Sequence, residues 1–486
     1  MNVCDIFLKC VMECPDYNFL LYKNKTISYF EINSLANKIC KLLKNISGKF
    51  IAIECTKYSE YLYASIIACW KLNRCIIPFS KTWSSSHKKY LLTTFNIAVL
   101  ISDEHQTDYF SGQIIIENSI TIIYNSVPHE KTNMYVFPED IAYILFTSGT
   151  SGIPKAVPIT HKNLYSYITG INLALPPIKN EILTNLFLPT FDPFFHDLLY
   201  SWITFSSLVP IERHDFLKIG DFIDDFNVTI WFSVPSLIKL VFPLYKLSNK
   251  LSKLKISLFC GESFTIEDAR YWRKLSHLTK IFNLYGPTEA TITCCIKEVI
   301  DDDSLLMDSI IGKVFGDTRF KIYDSAGAEN VAGELLLSGP QVFSGYLSNQ
   351  LLTGIINIDN QFWYKTGDLV LLNDDNDIVY LGRIDRQVKI NGIRFELNAL
   401  ESLIRENCQY TNIYIKESLD SFNRCNGINI FILSPEKDFI SSNILKLNLP
   451  EAITIRSILY LKEIPLNENG KICYRQLEEN TITKYE

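Results

Sequence analysis

The sequence predicts an α/β protein: a large N-terminal domain of layered α/β sheets carrying a β-rich subdomain, then a small α+β C-terminal domain. Three observations carry this expectation. Short apolar runs alternate with segments of helical spacing through roughly the first 300 residues. After about residue 310 the texture changes to short strands separated by turn residues. A charged, turn-rich patch, Asn373-Asp374-Asp375-Asn376-Asp377, then leads to Gly382-Arg383-Ile384-Asp385-Arg386, where a boundary between domains 1–384 and 385–486 is expected.

The elements follow in order. From Glu31 to Leu43, the positions Ile32, Leu35, Ala36, Ile39, Leu42 and Leu43 fall on one helical face. Phe50-Ile51-Ala52-Ile53 reads as a strand and Tyr58 to Leu72 as a second helix. Further strands are expected at Ile97-Ala98-Val99-Leu100-Ile101, Ala142-Tyr143-Ile144-Leu145-Phe146, Thr229-Ile230-Trp231-Phe232, Ile256-Ser257-Leu258-Phe259 and Ile281-Phe282. Runs with so few polar interruptions suit sheets covered by helices on both faces. Gly333-Glu334-Leu335-Leu336-Leu337-Ser338-Gly339 and Gly367-Asp368-Leu369-Val370-Leu371 represent the β-rich stretch.

Composition excludes several functions. With 47% hydrophobic and 21% charged residues among 486, the chain has ample material for a core and no compositional case for disorder. A net charge of −6 argues against nonspecific nucleic-acid binding. Thirteen scattered cysteines without a C-x-x-C pair read as reduced, mostly buried thiols. Asp5, Lys9, Glu13 and Asp16 interrupt any signal-peptide core, and no uncharged apolar run reaches ~18 residues. A cytoplasmic protein without membrane association is therefore expected.

Four segments carry chemistry. Phe146-Thr147-Ser148-Gly149-Thr150-Ser151-Gly152-Ile153-Pro154-Lys155 follows an apolar strand; its hydroxyls, flexible amides and ammonium suit a polyphosphate, or a plain surface turn. It lacks the Gly-Lys-Ser/Thr ending of a Walker A loop. Asn283-Leu284-Tyr285-Gly286-Pro287-Thr288-Glu289-Ala290-Thr291 can project a ring, a hydroxyl and a carboxylate into one cleft, suited to a base, a phosphate and Mg²⁺. In Tyr364-Lys365-Thr366-Gly367-Asp368 a carboxylate beside a tight turn could accept both hydroxyls of a ribose. Asn469-Gly470-Lys471 puts a cation in a C-terminal loop.

Together these segments resemble the adenylate-forming family, and within it the amino-acid adenylation domains of nonribosomal peptide synthesis. The likeness runs from Ile27-Ser28-Tyr29-Phe30-Glu31 through Ala68-Cys69-Trp70-Lys71-Leu72 and Gly345-Tyr346-Leu347 to Gly382-Arg383-Ile384-Asp385-Arg386-Gln387 and Lys471. It implies that Thr147, Ser148, Gly149, Thr150 and Lys155 form a phosphate loop for ATP. Thr288 would lie near the α-phosphate and Glu289 would hold Mg²⁺. Asn283 and Tyr285 would face adenine, Asp368 the ribose, and Arg383 the ribose or phosphate. Asp385 would be the hinge of a mobile C-terminal domain that delivers Lys471. Ala156 departs from the pattern, which usually continues with Gly.

The resemblance also implies that Asp192 pairs with the ammonium of an amino-acid substrate; an ordinary helix-start Asp before Pro193 is the alternative. His196 is either a side-chain-selecting residue or a core histidine. Ser236, Leu258, Cys260, Leu284, Ile292 and Thr293 complete a pocket suited to a small or modest neutral side chain. Phe259-Cys260-Gly261-Glu262 is similar to the D-alanine:carrier-protein ligases, which makes D-alanine a candidate. Few residues follow Lys471, so a separate phosphopantetheinylated carrier protein is the expected acceptor. Two rival expectations stand: an acyl- or aryl-CoA ligase, against which Asp192 tells, and a catalytically degenerate nucleotide-binding protein, against which Glu289, Asp368 and Lys471 tell.

Overall fold

The computed structural model describes the chain apart from residues 1, 105–106, 118, 126–139, 148–154, 246–247, 249, 301–309, 325–326, 348–353, 391–392, 409–411, 421–423, 434–443, 445–452, 466–473, 480 and 486. Two compact units are present. The first comprises residues 1–146, 156–260 and 264–382; the second comprises 147–155, 261–263 and 383–486.

The first unit is built on two sheets. In the first sheet, of seven strands among the described residues, Val99–Ser102, Phe50–Glu54, Cys75–Pro78 and Ile141–Thr147 run parallel as neighbours. Their side chains are buried almost throughout. The second sheet has fourteen strands among the described residues. Its parallel half passes through Asn18–Tyr22, Ser207–Pro210, Ile182–Asn185, Ile230–Ser233, Ile256–Phe259 and Lys280–Tyr285. From there Cys295–Val299 and Ile310–Val314 add antiparallel, followed by Ile378–Arg383, Gln361–Leu372, Ala332–Ser338 and Arg319–Tyr323.

The α/β class expected from the sequence is therefore present. The β-rich stretch continues the parallel sheet by hydrogen bonding. The strand Lys280–Tyr285 is the seam, paired parallel on one side and antiparallel on the other.

Helices cover these sheets. Ser28 caps Tyr29–Leu43 through a reciprocal bond with Glu31, and Ile32, Ala36, Ile39 and Leu43 face inward at helical spacing. Pro193–Ile203 differs: it is apolar on nearly all sides, and every residue from Pro193 to Trp202 is buried. Pro193 at its first turn fits the fixed φ and the missing N–H. Below its start, the Lys57 ammonium donates to the carbonyls of Asn185 at 3.0 Å, Leu186 at 2.8 Å and Ile211 at 2.5 Å. Two neighbouring chain segments are thereby tied at the carboxyl ends of their strands.

In the second unit, Ile413–Leu419, Cys425–Ile432, Ile455–Leu461 and Thr481–Tyr485 form a four-stranded sheet. Leu400 and Ile404 of the helix Leu397–Cys408 join Ile415, Ile430 and Ile458 in its core. Buried Glu401 is the polar centre. It accepts from Arg405 at 2.7 Å, the Tyr474 hydroxyl at 2.9 Å, the Ile415 N–H at 2.9 Å and Arg386 at 3.2 Å. The Arg386 guanidinium also lies 3.5 Å from the centre of the Tyr474 ring.

Candidate active site

The parallel strands of the large sheet end together, and in such sheets the crevice beyond the carboxyl ends is where ligands bind. Candidate residues Ser236, Cys260 and Tyr285 lie at or just beyond three adjacent ends. Asn283 sits inside the last strand, and its amide donates to the Ile310 carbonyl at 2.8 Å, so this side chain also ties the seam to the antiparallel half.

The chain then doubles back. A Cβ at Gly286 would lie 2.5 Å from the Thr293 Cα, so only glycine permits this approach. Thr288–Ala290 forms one short turn, after which Thr291 and Ile292 take left-handed φ values of 57° and 71°. For two consecutive β-branched residues this conformation is costly, about 1–3 kcal/mol each. Buried Gln341 holds it: its side-chain amide donates to the carbonyls of Ala290 at 2.8 Å and Thr293 at 2.5 Å, and its backbone carbonyl accepts from the Thr291 hydroxyl at 2.6 Å.

This loop fixes two carboxylates. Glu289 is fully buried and accepts from the Tyr346 hydroxyl at 2.5 Å, while its backbone carbonyl accepts from the Phe343 N–H at 2.8 Å. Tyr346 in turn stands 3.4 Å, hydroxyl to hydroxyl, from Tyr364, on the strand that carries Asp368. The Tyr285 hydroxyl donates directly to Asp368 Oδ2, joining residues 83 positions apart. Burial, and then the Asp368 charge, push the Tyr285 phenol well above its ordinary range, so it remains a donor. An aromatic ring and a buried carboxylate thus stand side by side.

Among the described residues no group of three His, Cys, Asp or Glu side chains could hold a metal ion. Mg²⁺ commonly takes only one or two carboxylates and completes its shell with phosphates and water, which the single buried carboxylate of Glu289 fits.

Asp192 is buried and precedes the helix Pro193–Ile203, yet its side chain makes no capping bond there. His196, one turn further on, pairs through Nδ1 with the Tyr167 hydroxyl at 2.6 Å. Leu258, Cys260, Leu284 and Ile292 lie buried in the same cluster as Phe232 and Tyr167. Thr293 is buried and Ser236 half-buried.

In the second unit Arg383 grips Asp385 in a two-pronged pair, at 2.6 Å and 2.8 Å. Burial raises the Asp385 pKa, but the hydrogen bonds and charge of Arg383 outweigh it and the carboxyl titrates below its ordinary value. Thr147 closes its strand and Lys155 opens the strand Lys155–Thr160. Ser148, Gly149, Thr150 and Lys471 lie outside the described residues. Sequence reasoning missed Gln341 and Tyr167 and gave Tyr346 no role; only the Gly345-Tyr346-Leu347 segment offered a signal.

Residues 7–347 match the family described as AMP-binding enzyme. The chain belongs to the AMP-binding enzyme family. Bacitracin synthase 2 of Bacillus licheniformis is 27% identical across 98% of this chain, which spans 18% of that protein. The D-alanine--D-alanyl carrier protein ligase of B. licheniformis is 25% identical over 99% of both chains. Among solved structures, the Vibrio cholerae adenylation domain AlmE, in complex with glycyl-adenosine-5'-phosphate, superimposes with a TM-score of 0.83 at 22% identity. That match covers 98% of this chain and 97% of AlmE, and it shows a shared fold.

Proposed function

We propose that this AMP-binding family member activates an amino acid to its aminoacyl-adenylate with release of pyrophosphate, and then passes the acyl group to the phosphopantetheine thiol of a separate carrier protein in the cytoplasm. The observation that carries the nucleotide half is the Tyr285–Asp368 hydrogen bond, which sets a ring for the base beside a carboxylate for the ribose hydroxyls. Buried Asp192 supports the amino-acid half, because a carboxylate taken from water is stabilised by a cationic partner and an α-ammonium supplies one.

In this reading the substrate carboxylate attacks the α-phosphorus. Thr147, Ser148, Gly149, Thr150 and Lys155 hold the departing pyrophosphate, Thr288 donates to the α-phosphate, and Lys471 bridges carboxylate and nucleotide. Mg²⁺ held by Glu289 would supply charge neutralisation on the phosphates. Arg383 contacts the ribose or phosphate. Residues 385–486 act as a mobile domain, with Asp385 as the hinge that withdraws Lys471 before the thiol attacks. The uncharged pocket of Ser236, Leu258, Cys260, Leu284, Ile292 and Thr293 suits a neutral side chain, with D-alanine a candidate.

The test is ATP–pyrophosphate exchange across D- and L-amino acids and simple carboxylic acids. Lys471→Ala should abolish exchange while ATP still binds, and Asp192→Ala should lose amino acids selectively. Undiminished exchange in Lys471→Ala refutes the lysine's role. Activation of amine-free carboxylates alone, with free coenzyme A as acceptor, replaces the amino-acid reading with that of a CoA ligase.

A further inference from the structure

Three buried polar atoms around the helix Pro193–Ile203 lack a hydrogen-bond partner: His196 Nε2 and the hydroxyl oxygens of Tyr143 and Tyr200. All three side chains are at most 1% exposed. Tyr143 comes from the strand Ile141–Thr147, and His196 and Tyr200 from the buried helix. Tyr167 links them to Thr293 in the strained loop after the seam. Its hydroxyl meets His196 Nδ1 at 2.6 Å, its phenol hydrogen-bonds the Thr293 side chain, and it lies close enough to Tyr143 to bear on that residue's ionisation. The His196 ring stacks on Tyr200 at 5.1 Å and stands edge-on to Phe232 at 4.8 Å.

A buried polar group left without a partner costs about 1–3 kcal/mol, so three together cost ~3–9 kcal/mol, a large share of a domain's stability. Buried polar groups in native proteins are almost always satisfied, and these surround residues already assigned to the substrate pocket. Burial keeps His196 neutral, since it pulls the imidazole down to about 3. The neutral ring can donate or accept at Nε2, according to which tautomer its bond with Tyr167 selects. These uncharged groups therefore offer hydrogen bonds of both senses.

We propose that the substrate side chain carries a neutral hydrogen-bonding group, an amide or a hydroxyl, which satisfies the His196–Tyr167–Thr293 cluster. This rests on the amino-acid reading above and narrows it: a bare methyl would leave these atoms unpaired. A site built to hydrogen-bond its substrate rejects the analogue lacking that group far more strongly than an apolar slot rejects a methylene.

The experiment is pyrophosphate exchange by the full chain with matched pairs, Asn against Leu and Thr against Val, together with Gln, Ser and Ala, in both enantiomers. An amide or hydroxyl acid should exceed its hydrocarbon isostere by at least ~100-fold in kcat/KM. His196→Phe and Tyr167→Phe should bring that ratio within ~10-fold, each removing one polar partner while keeping a ring. If His196→Phe does not fold, Tyr167→Phe carries the test. Preference for alanine, valine or leucine in the unaltered chain overturns the proposal, as does a ratio unmoved by the variants, which would assign the cluster to internal water. Exchange driven only by acids without an amine overturns the amino-acid reading itself, and this narrowing with it.

Discussion

Acidification should destabilise this protein through two buried histidines, and the size of the effect follows from where they sit. His161 and His196 are 2% and 0% exposed. Neither ring nitrogen of His161 has a hydrogen-bond partner, and the ring packs edge-on against Trp70 at 5.6 Å. Burial pulls the pKa of His196 from 6.5 to about 3 and that of His161 from 6.5 to about 4, with the Asp140 charge opposing at His161. Both are neutral in the folded chain at pH 5, whereas in the unfolded chain both are largely protonated. The unfolded state binds more protons across that window, so stability is intact above about pH 6.5 and is lost as pH falls toward 4 for His161 and toward 3 for His196. Each pH unit inside the window costs ~1.4 kcal/mol per group, which gives ~2 kcal/mol per histidine by pH 5 and ~4 kcal/mol for the pair. Urea unfolding at about pH 7.5 and pH 5, for the unaltered chain and for His161→Phe and His196→Phe, measures this directly. Each variant should lose ~2 kcal/mol less on acidification than the unaltered chain. A variant that loses just as much would refute the reasoning for that histidine.

Three further outcomes are expected. Lys57→Met keeps the stem but leaves the carbonyls of Asn185, Leu186 and Ile211 without their donor; it should lower stability by ~3 kcal/mol in denaturant melts, and an unchanged midpoint would contradict the tie. Gln341→Leu releases the backbone at Ala290 and Thr293, so pyrophosphate-exchange kcat/KM should fall by up to ~100-fold through misplacement of Glu289; wild-type kinetics would remove Gln341 from the positioning of this loop. Tyr474→Phe deletes the hydroxyl bond to Glu401 while sparing the ring on Arg386, and should cost ~1 kcal/mol in stability. Because Tyr474 lies three residues after Lys471, this variant should also lower kcat with KM for ATP unchanged, and a change confined to KM would argue against it.

Much of the scaffold was legible because burial leaves a strong signature. The helix expected over residues 31–43 is Tyr29–Leu43, and that over 58–72 is Glu60–Lys71. Runs such as Phe50–Glu54 and Ile256–Phe259 are buried along their whole length, as uninterrupted apolar text implies. Sheet membership was not legible, because the hydrogen bonds joining Cys295–Val299 to Lys280–Tyr285 are made by backbone groups common to nearly all residues. The site divided the same way. Tyr285, Glu289 and Asp368 could be named from turn chemistry and from the family likeness, but Gln341 acts through its amide on backbone carbonyls about 50 residues away in sequence, and nothing local marks it. The Tyr167–His196 pair was hidden for a related reason: Tyr167, on another helix, reads as ordinary core, and nothing local joins it to His196.

The position of the seam strand has a consequence for how this scaffold can diversify. Six strands flank Lys280–Tyr285 on either side in the main path of the sheet. The outermost pieces, Lys25–Ser28 and Arg319–Tyr323, therefore lie at the far rims, where an insertion or a lost residue is absorbed by one neighbour or by solvent. A one-residue slip at the centre would turn every side chain of that strand to the opposite face and break two ladders at once. Tolerance to sequence drift should thus rise steadily from the middle outward, leaving the margins free to acquire new lengths and surfaces while the heart of the sheet keeps its register.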